Sequence, residues 1–444
     1  MSFKRLLNIL LILLLTVGVV CSCCSCAVSN SDNTENINDE YSIVRDISFS
    51  KEKTSKVLQI AFENTALSEH TYSVCKAYSS FLDEAFSKTV ITRLEWLKLL
   101  LEKLGCELVT DLDGYDHIKD LNYFEGSEYY ITAIENAVVY RGGNEFGLNS
   151  PASRQFVATS LVKGVGYDID YKLECADYDD IDEKIEASTT VYLRYLVLDD
   201  ENCFNGETAI TQTEVDFLLN ELDLMNMLQG KKVMSFGDSI MHGTGNDDIG
   251  IATLIAQRYK MQVVDYSKAG ATFGDAPDRE QISDQIERAV EKGEDADFIL
   301  LNGGTNDMRN LPLGQISDDF NYIENGREFF SQGMEYALGL LRDNYPESKM
   351  LYIRAHDMEF SLERNELHFG KTALDICKKW NVDVADVFND TGFDAHNAEI
   401  KKKYTKISKN CEKGDSVHPN RLGYYEYYIP LTVEKMIKNI NVTE

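Results

Sequence analysis

The sequence predicts a three-layer α/β/α parallel sheet in its C-terminal half, preceded by a mainly helical domain. Two observations carry this expectation. From Lys231 onward, short apolar runs alternate with amphipathic stretches, the pattern of strand and helix units wound around a parallel sheet. Between Leu58 and Met225, helical-period segments instead recur about 60 residues apart. With 444 residues, a 43% hydrophobic fraction and only six prolines, the chain is long enough for two or three real cores. The boundaries read as 1–26 for a targeting segment, 27–57 for a polar tether and lead-in, 58–226 for the helical part and 230–444 for the sheet domain.

In the C-terminal half, Val233 to Phe236 is apolar and bounded by charge and glycine, which predicts a first strand. Ile251, Leu254 and Ile255 then recur at helical spacing up to Tyr259. Val263 and Val264 end a second strand. Phe298 to Leu301 is apolar throughout and is expected at the centre of the sheet. Phe330, Met334, Ala337, Leu338 and Leu341 trace one helix face, and Pro346 closes that helix. Met350 to Ile353 and Val382 to Val387 supply strands four and five. A last helix runs from about Tyr424 to Ile440, with a kink expected at Pro430.

The helical part opens each of its copies with a hydroxyl residue suited to N-capping: Thr92, Ser153 and Thr211. Setting Thr92 over Ser153 puts Arg93 over Arg154, Leu100 over Leu161 and Gly105 over Gly166. Ile134, Ala137 and Val138 form a further apolar stripe ahead of the second copy. These residues resemble the S-layer homology (SLH) family, whose repeats carry an Ile-Thr-Arg-x-Glu signature. Ile91-Thr92-Arg93-Leu94-Glu95 matches it fully; the second copy has Phe156 in place of the Glu, and the third has Gln212 in place of the Arg. The resemblance implies contact with an acidic cell-wall polymer through Arg93 and Arg154. An all-helical spacer that keeps the fold without the ligand is the alternative. The acidic run Asp177 to Glu183 lacks the glycine and distal glutamate of a calcium loop and reads as solvated surface.

A net charge of −30 excludes nucleic acid as a partner, because phosphate binding needs clustered Lys and Arg. Lys4 and Arg5 precede an apolar run, Leu6 to Val20, and Cys21, Cys23, Cys24 and Cys26 follow at once. This resembles a bacterial lipoprotein signal, which implies lipidation at Cys23, with Cys21 and Cys26 as alternatives, a membrane anchor and a location outside the cytoplasm; a cleaved secretory peptide without lipid is the other reading. Six further cysteines are scattered, form no metal-ligand spacing and reveal no pairing. Histidines stand singly, so no metal and no cofactor are expected.

Three blocks lie just after strands, and a fourth lies in the loop before the last helix. They are Gly237-Asp238-Ser239, the stretch Asp265 to Gly274 around Gly270, Gly304-Thr305-Asn306-Asp307, and Asp415-Ser416-Val417-His418. In this order they resemble the SGNH (GDSL-type) hydrolase family, which implies a flavodoxin-like fold and a serine esterase. Chemistry gives each residue type a reason. A serine hydroxyl needs a base to become a nucleophile, and imidazole titrates near neutral pH, so His418 is the candidate base for Ser239. Asp415 is placed to orient that imidazole. An oxyanion needs preorganised donors, and the resemblance assigns them to the N–H of Ser239, the N–H of Gly270 and the Asn306 amide. Asp238 and Asp307 are expected to brace these loops. His242 lies near Ser239 but nothing orients it, and His356 and Asp357 fall near the carboxyl edge of the sheet.

The expectation is therefore an extracytoplasmic serine esterase acting on small acyl esters, such as acetyl groups on carbohydrate. A non-catalytic glycan-binding protein and an O-acyltransferase using the same residues are the alternatives.

Overall fold

Lys232–Phe236 (β1) forms because four consecutive residues, Val233 to Phe236, have both of their faces covered. The computed structural model describes residues 91–111, 115, 126–140, 146–359 and 363–441. Cys23, the tether and the first part of the helical region, with Cys75, lie outside these residues. Four more strands follow: β2 (Gln262–Asp265), β3 (Phe298–Leu301), β4 (Lys349–Arg354) and β5 (Asp383–Asp386). All pair in parallel in the order β2-β1-β3-β4-β5. The fully buried β3 stands in the centre, as its unbroken apolar run requires, while β2 at the edge is largely exposed.

Strand side chains alternate between the two faces of this sheet. Val233, Leu300, Leu351 and Ile353 share one apolar core with the helices Ile251–Tyr259 and Ile429–Asn441. Met234, Phe236, Ile299, Leu301 and Tyr352 share the other with Ile282–Glu291, Phe330–Asn344 and Glu363–Trp380. These are the three layers.

Among the described residues, five α-helices precede the sheet: α1 (Arg93–Lys103), α2 (Ser127–Glu135), α3 (Arg154–Val165), α4 (Lys184–Tyr192) and α5 (Gln212–Leu228). Thr92, Ser153 and Thr211 cap α1, α3 and α5, and the first and last form full capping boxes with Glu95 and Glu214. Backbone bonds repeat from copy to copy. Arg93 N–H donates to Ser150 O at 3.0 Å, and Arg154 N–H to Thr208 O at 2.8 Å. Ala152 N–H donates to Ile91 O at 2.9 Å, and Ile210 N–H to Ala152 O at 2.8 Å. The sequence similarity is thus also a geometric one. Helix α2 is shorter than the apolar stripe suggested: it stops at Glu135, Ala137 turns to φ 55°, and Val138 folds back onto Ala133 O.

The helical part does not dangle from the sheet domain. Arg258, on Ile251–Tyr259, is 5% exposed. It donates to Glu221 of α5 at 2.9 Å and to Leu193 O, and it stacks against Tyr195 and Tyr425. Tyr195 OH donates to Arg258 O at 2.8 Å.

The expected kink near Pro430 falls one turn early. Tyr424–Tyr428 is a π-turn, and the α-helix resumes at Ile429 with Pro430 in its first turn, where a missing N–H is tolerated.

Candidate active site

Strand order reverses direction about β1, so the carboxyl ends of β1 and β3 flank a crevice of the kind where open α/β sheets bind ligands. Ser239 leaves β1 on a sharp turn into the short helix Ser239–His242. The turn needs Gly237, since a Cβ there would lie 2.5 Å from Asn302 O. Gln285 clamps the same glycine on both sides, accepting from its N–H at 2.8 Å and donating to its carbonyl at 3.0 Å.

The loop Asp415–His418 comes from the far end of the chain and meets this turn. His418 Nε2 lies 3.0 Å from Ser239 Oγ, and His418 Nδ1 lies 2.6 Å from Asp415 Oδ2. Asp415 Oδ1 also accepts the N–H groups of Val417 and His418, at 3.0 and 2.9 Å. Burial alone would raise the Asp415 pKa, but the bonds from His418 and Val417 outweigh it and hold the carboxyl below its ordinary value. It is therefore a carboxylate able to stabilise an imidazolium. Ser239 is 7% exposed. Gly245 lies where a Cβ would be 2.1 Å from Pro419 O, so the glycine lets the turn after Ser239 close onto the histidine loop.

Backbone and side-chain bonds tie the other blocks to the serine turn: Lys268 N–H donates to Gly237 O at 3.0 Å. The N–H groups of Ser239 and Gly270 have no acceptor among the described residues. Gly270 adopts φ 88°, and Arg279 Nη1 holds its carbonyl at 2.9 Å. Asn306 Nδ2 donates one hydrogen to Ala271 O at 3.0 Å, which fixes its orientation and leaves its second amide hydrogen without an acceptor among the described residues. The sequence blocks therefore gather into one place. Replacing Asn306 by Ala should lower kcat for ester turnover by about 10²–10³-fold with little change in KM. Steady-state kinetics check this, and an unchanged kcat would remove Asn306 from the site.

Asp238 and Asp307 are fully buried beneath these loops. Asp238 accepts from Ile240 N–H at 2.9 Å. Asp307 accepts from Phe273 N–H at 3.0 Å and Gly274 N–H at 3.0 Å. Burial pushes Asp238 up to about 6, against the pull of the Ile240 N–H. Burial likewise pushes Asp307 up to about 7, opposed by its two backbone donors and reinforced by Asp238. Asp265, where the family pattern often has Asn, accepts from Ser235 Oγ at 2.8 Å and from Ser267 N–H and Oγ at 2.9 and 2.6 Å. The carboxylate thus ties down the loop that leads to Gly270.

Other residues singled out from sequence sit elsewhere. His242 Nε2 faces Asp248 at 3.5 Å. Arg154 donates to Phe204 O, Val197 O and Glu214, so an anionic polymer would have to displace Glu214 to reach it. Arg93 donates to Phe146 O at 2.8 Å and stacks on Phe156. His396 is not isolated: with Asp357 and Asp394 it forms a partly exposed trio with ligand atoms within 4.8 Å, of a kind common without an ion. His396 N–H already bonds Asp394 at 2.8 Å.

Gln285 was not legible in sequence as a site residue; its only signal is a polar residue inside the apolar stripe of Ile282, Ile286 and Ala289. His356, expected from sequence near the carboxyl edge of the sheet, is fully buried there, and its role is taken up below.

No curated protein matches the chain. Solved structures similar to it include a protein from Lactobacillus plantarum, 21% identical with TM-score 0.39, covering 48% of this chain and 98% of its own. A lipase/acylhydrolase from Enterococcus faecalis is 16% identical with TM-score 0.31, covering 46% and 95%. An acetylxylan esterase from Geobacillus stearothermophilus is 14% identical with TM-score 0.31, covering 47% and 94%. Residues 235–425 match the model of the GDSL-like Lipase/Acylhydrolase family, and the C-terminal half of the chain is accordingly a GDSL-type acylhydrolase domain.

Proposed function

We propose that this domain is a serine esterase that removes small acyl groups, acetyl foremost, from carbohydrate outside the cytoplasm. The observation that carries the reading is the hydrogen-bonded chain Asp415–His418–Ser239 beside two unengaged backbone N–H groups. In the first step Ser239 Oγ bonds to the ester carbonyl carbon while His418 Nε2 takes the hydroxyl proton. The oxyanion rests on the N–H groups of Ser239 and Gly270 and on the Asn306 amide. Collapse breaks the bond to the leaving alcohol, which takes the proton from His418. Water then repeats the sequence on the acyl-enzyme, releasing the acid and restoring Ser239.

A small acyl group is carried over from the resemblance of the four sequence blocks to the SGNH family. Location outside the cytoplasm rests on the lipoprotein-like start of the sequence and Cys23, and a carbohydrate substrate on that location. A cell-wall role for the helical part rests on its SLH-like signature.

The test is turnover of p-nitrophenyl acetate, butyrate and octanoate by the purified protein. Acetate should be preferred, with octanoate the poorest substrate. Failure of a folded sample to cleave any of them, alone or with a sugar acceptor added, would leave the glycan-binding reading. Cleavage only with an acceptor would indicate acyl transfer.

A further inference from the structure

A histidine buried one layer behind the catalytic loop has every polar atom of its ring and backbone N–H engaged. His356 follows β4 and is 0% exposed. Its ring stacks on Phe393, with centroids 4.0 Å apart and planes 14° apart. Nε2 lies 3.0 Å from Ser416 O, and Nδ1 lies 2.7 Å from Tyr428 OH. The backbone N–H of His356 donates to the same Tyr428 oxygen at 3.1 Å.

This pattern permits one tautomer. A carbonyl can only accept, so Nε2 carries the hydrogen and Nδ1 is the bare acceptor of the Tyr428 hydroxyl. Burial supports that neutral state by pushing the imidazole down to about 4. With Nε2 donating to Ser416 O, the other neutral tautomer would leave that carbonyl without its donor.

What His356 grips matters. Ser416 stands between Asp415 and the Val417–His418 pair, and its backbone is left-handed at φ 60°, a conformation that a residue with a Cβ does not hold without support. Its hydroxyl donates to Glu359 O at 3.3 Å, so the segment after β4 holds both its carbonyl and its side chain. The same π-turn that supplies Tyr428 also supplies Tyr424, whose hydroxyl donates to Ile240 O at 2.8 Å, next to the nucleophile. One turn of helix thereby steadies both halves of the site.

We propose that His356 is a positioning residue. Its neutral imidazole fixes the left-handed Ser416 backbone and, through it, the alignment of Asp415 and His418 on Ser239. The inference rests on the reading of those three residues as the catalytic triad.

The test compares full-length His356→Phe, His356→Gln and Tyr428→Phe with the parent. Phe keeps the stack on Phe393 and removes both ring nitrogens, whereas Gln keeps a donor for Ser416 O. Three readouts are taken: kcat and KM with p-nitrophenyl acetate, the rate at which a fluorophosphonate labels Ser239, and the downfield proton signal of His418 Nδ1. His356→Phe should lower kcat and labelling by up to about 100-fold, with KM within about twofold, and should shift or broaden the downfield proton. His356→Gln should recover most of both rates. Retention of the parent's kcat and downfield signal in His356→Phe overturns the proposal. So does an equal loss in the Phe and Gln variants with that signal unmoved, which marks a purely structural residue. Should His356→Phe not fold, Tyr428→Phe decides by the same criteria, because it strips the hydroxyl bonded to Nδ1 and leaves the imidazole in place. A parent that cleaves no ester counts against the esterase reading alone, since the labelling and proton readouts still report on His356.

Discussion

Ser239→Ala is expected to fold as the parent does and to hydrolyse p-nitrophenyl acetate at least about 10⁴-fold more slowly. The fold should survive because the Ser239 hydroxyl bonds only His418 Nε2 among the described residues, so its loss leaves no other buried group unpaired. The chemistry should not survive, because nothing nearby can replace the nucleophile. His242 is turned to Asp248, and the carboxylates of Asp238 and Asp307 are sealed beneath the loops, where they accept backbone hydrogens. Steady-state kinetics on protein with an unchanged circular dichroism spectrum and melting temperature check the prediction. Turnover within tenfold of the parent would show that Ser239 is not the nucleophile and would remove the esterase reading.

The second large effect concerns the seam between the two parts of the chain. Arg258→Ala should destabilise the protein by about 3 kcal/mol, because it leaves the largely buried Glu221 carboxylate without its cation. Glu221 is 7% exposed and accepts from Arg258 Nε at 2.9 Å and from Tyr259 OH at 2.8 Å. The alanine also leaves Leu193 O without its guanidinium donor and opens space among Tyr195, Tyr259 and Tyr425. Urea denaturation followed by tryptophan fluorescence and by circular dichroism would measure the shift in midpoint. The double variant Arg258→Met with Glu221→Leu should regain much of the loss, since a paired apolar replacement leaves no orphan charge. A midpoint that barely moves in Arg258→Ala would mean that the two parts are held together by their apolar contacts alone.

That seam lies close to the chemistry. Helix Ile251–Tyr259, which carries Arg258, is the first long helix after the nucleophile turn. Arg421, three residues beyond His418, donates to Tyr171 OH at 2.7 Å and stacks on Tyr171 and Tyr192 of the helical part. The helical part is thus built into the support of the histidine loop.

Short-range physics made much of this protein legible from its residues. The first, third and fourth strands announced themselves by apolar runs and the second and fifth by valines among charged or polar residues, and each lies in the sheet within a residue or two of its expected bounds. Thr92, Ser153 and Thr211 were readable as caps because capping is settled within three residues. Ser239, Gly270, Asn306, Asp415 and His418 were read as a set from the resemblance of their four blocks to the SGNH family, and the hydrogen bond between His418 and Ser239 joins the first block to the last. Tertiary structure alone decided the layer behind them. Gln285 bonds a glycine 48 residues away, His356 a carbonyl 60 residues away and Arg258 a carboxylate 37 residues away. A lone polar residue on an apolar stripe says nothing of its partner, because that partner is chosen by packing. The buried hydrogen bond exists only once the sheet, the π-turn and the helical part have closed around it.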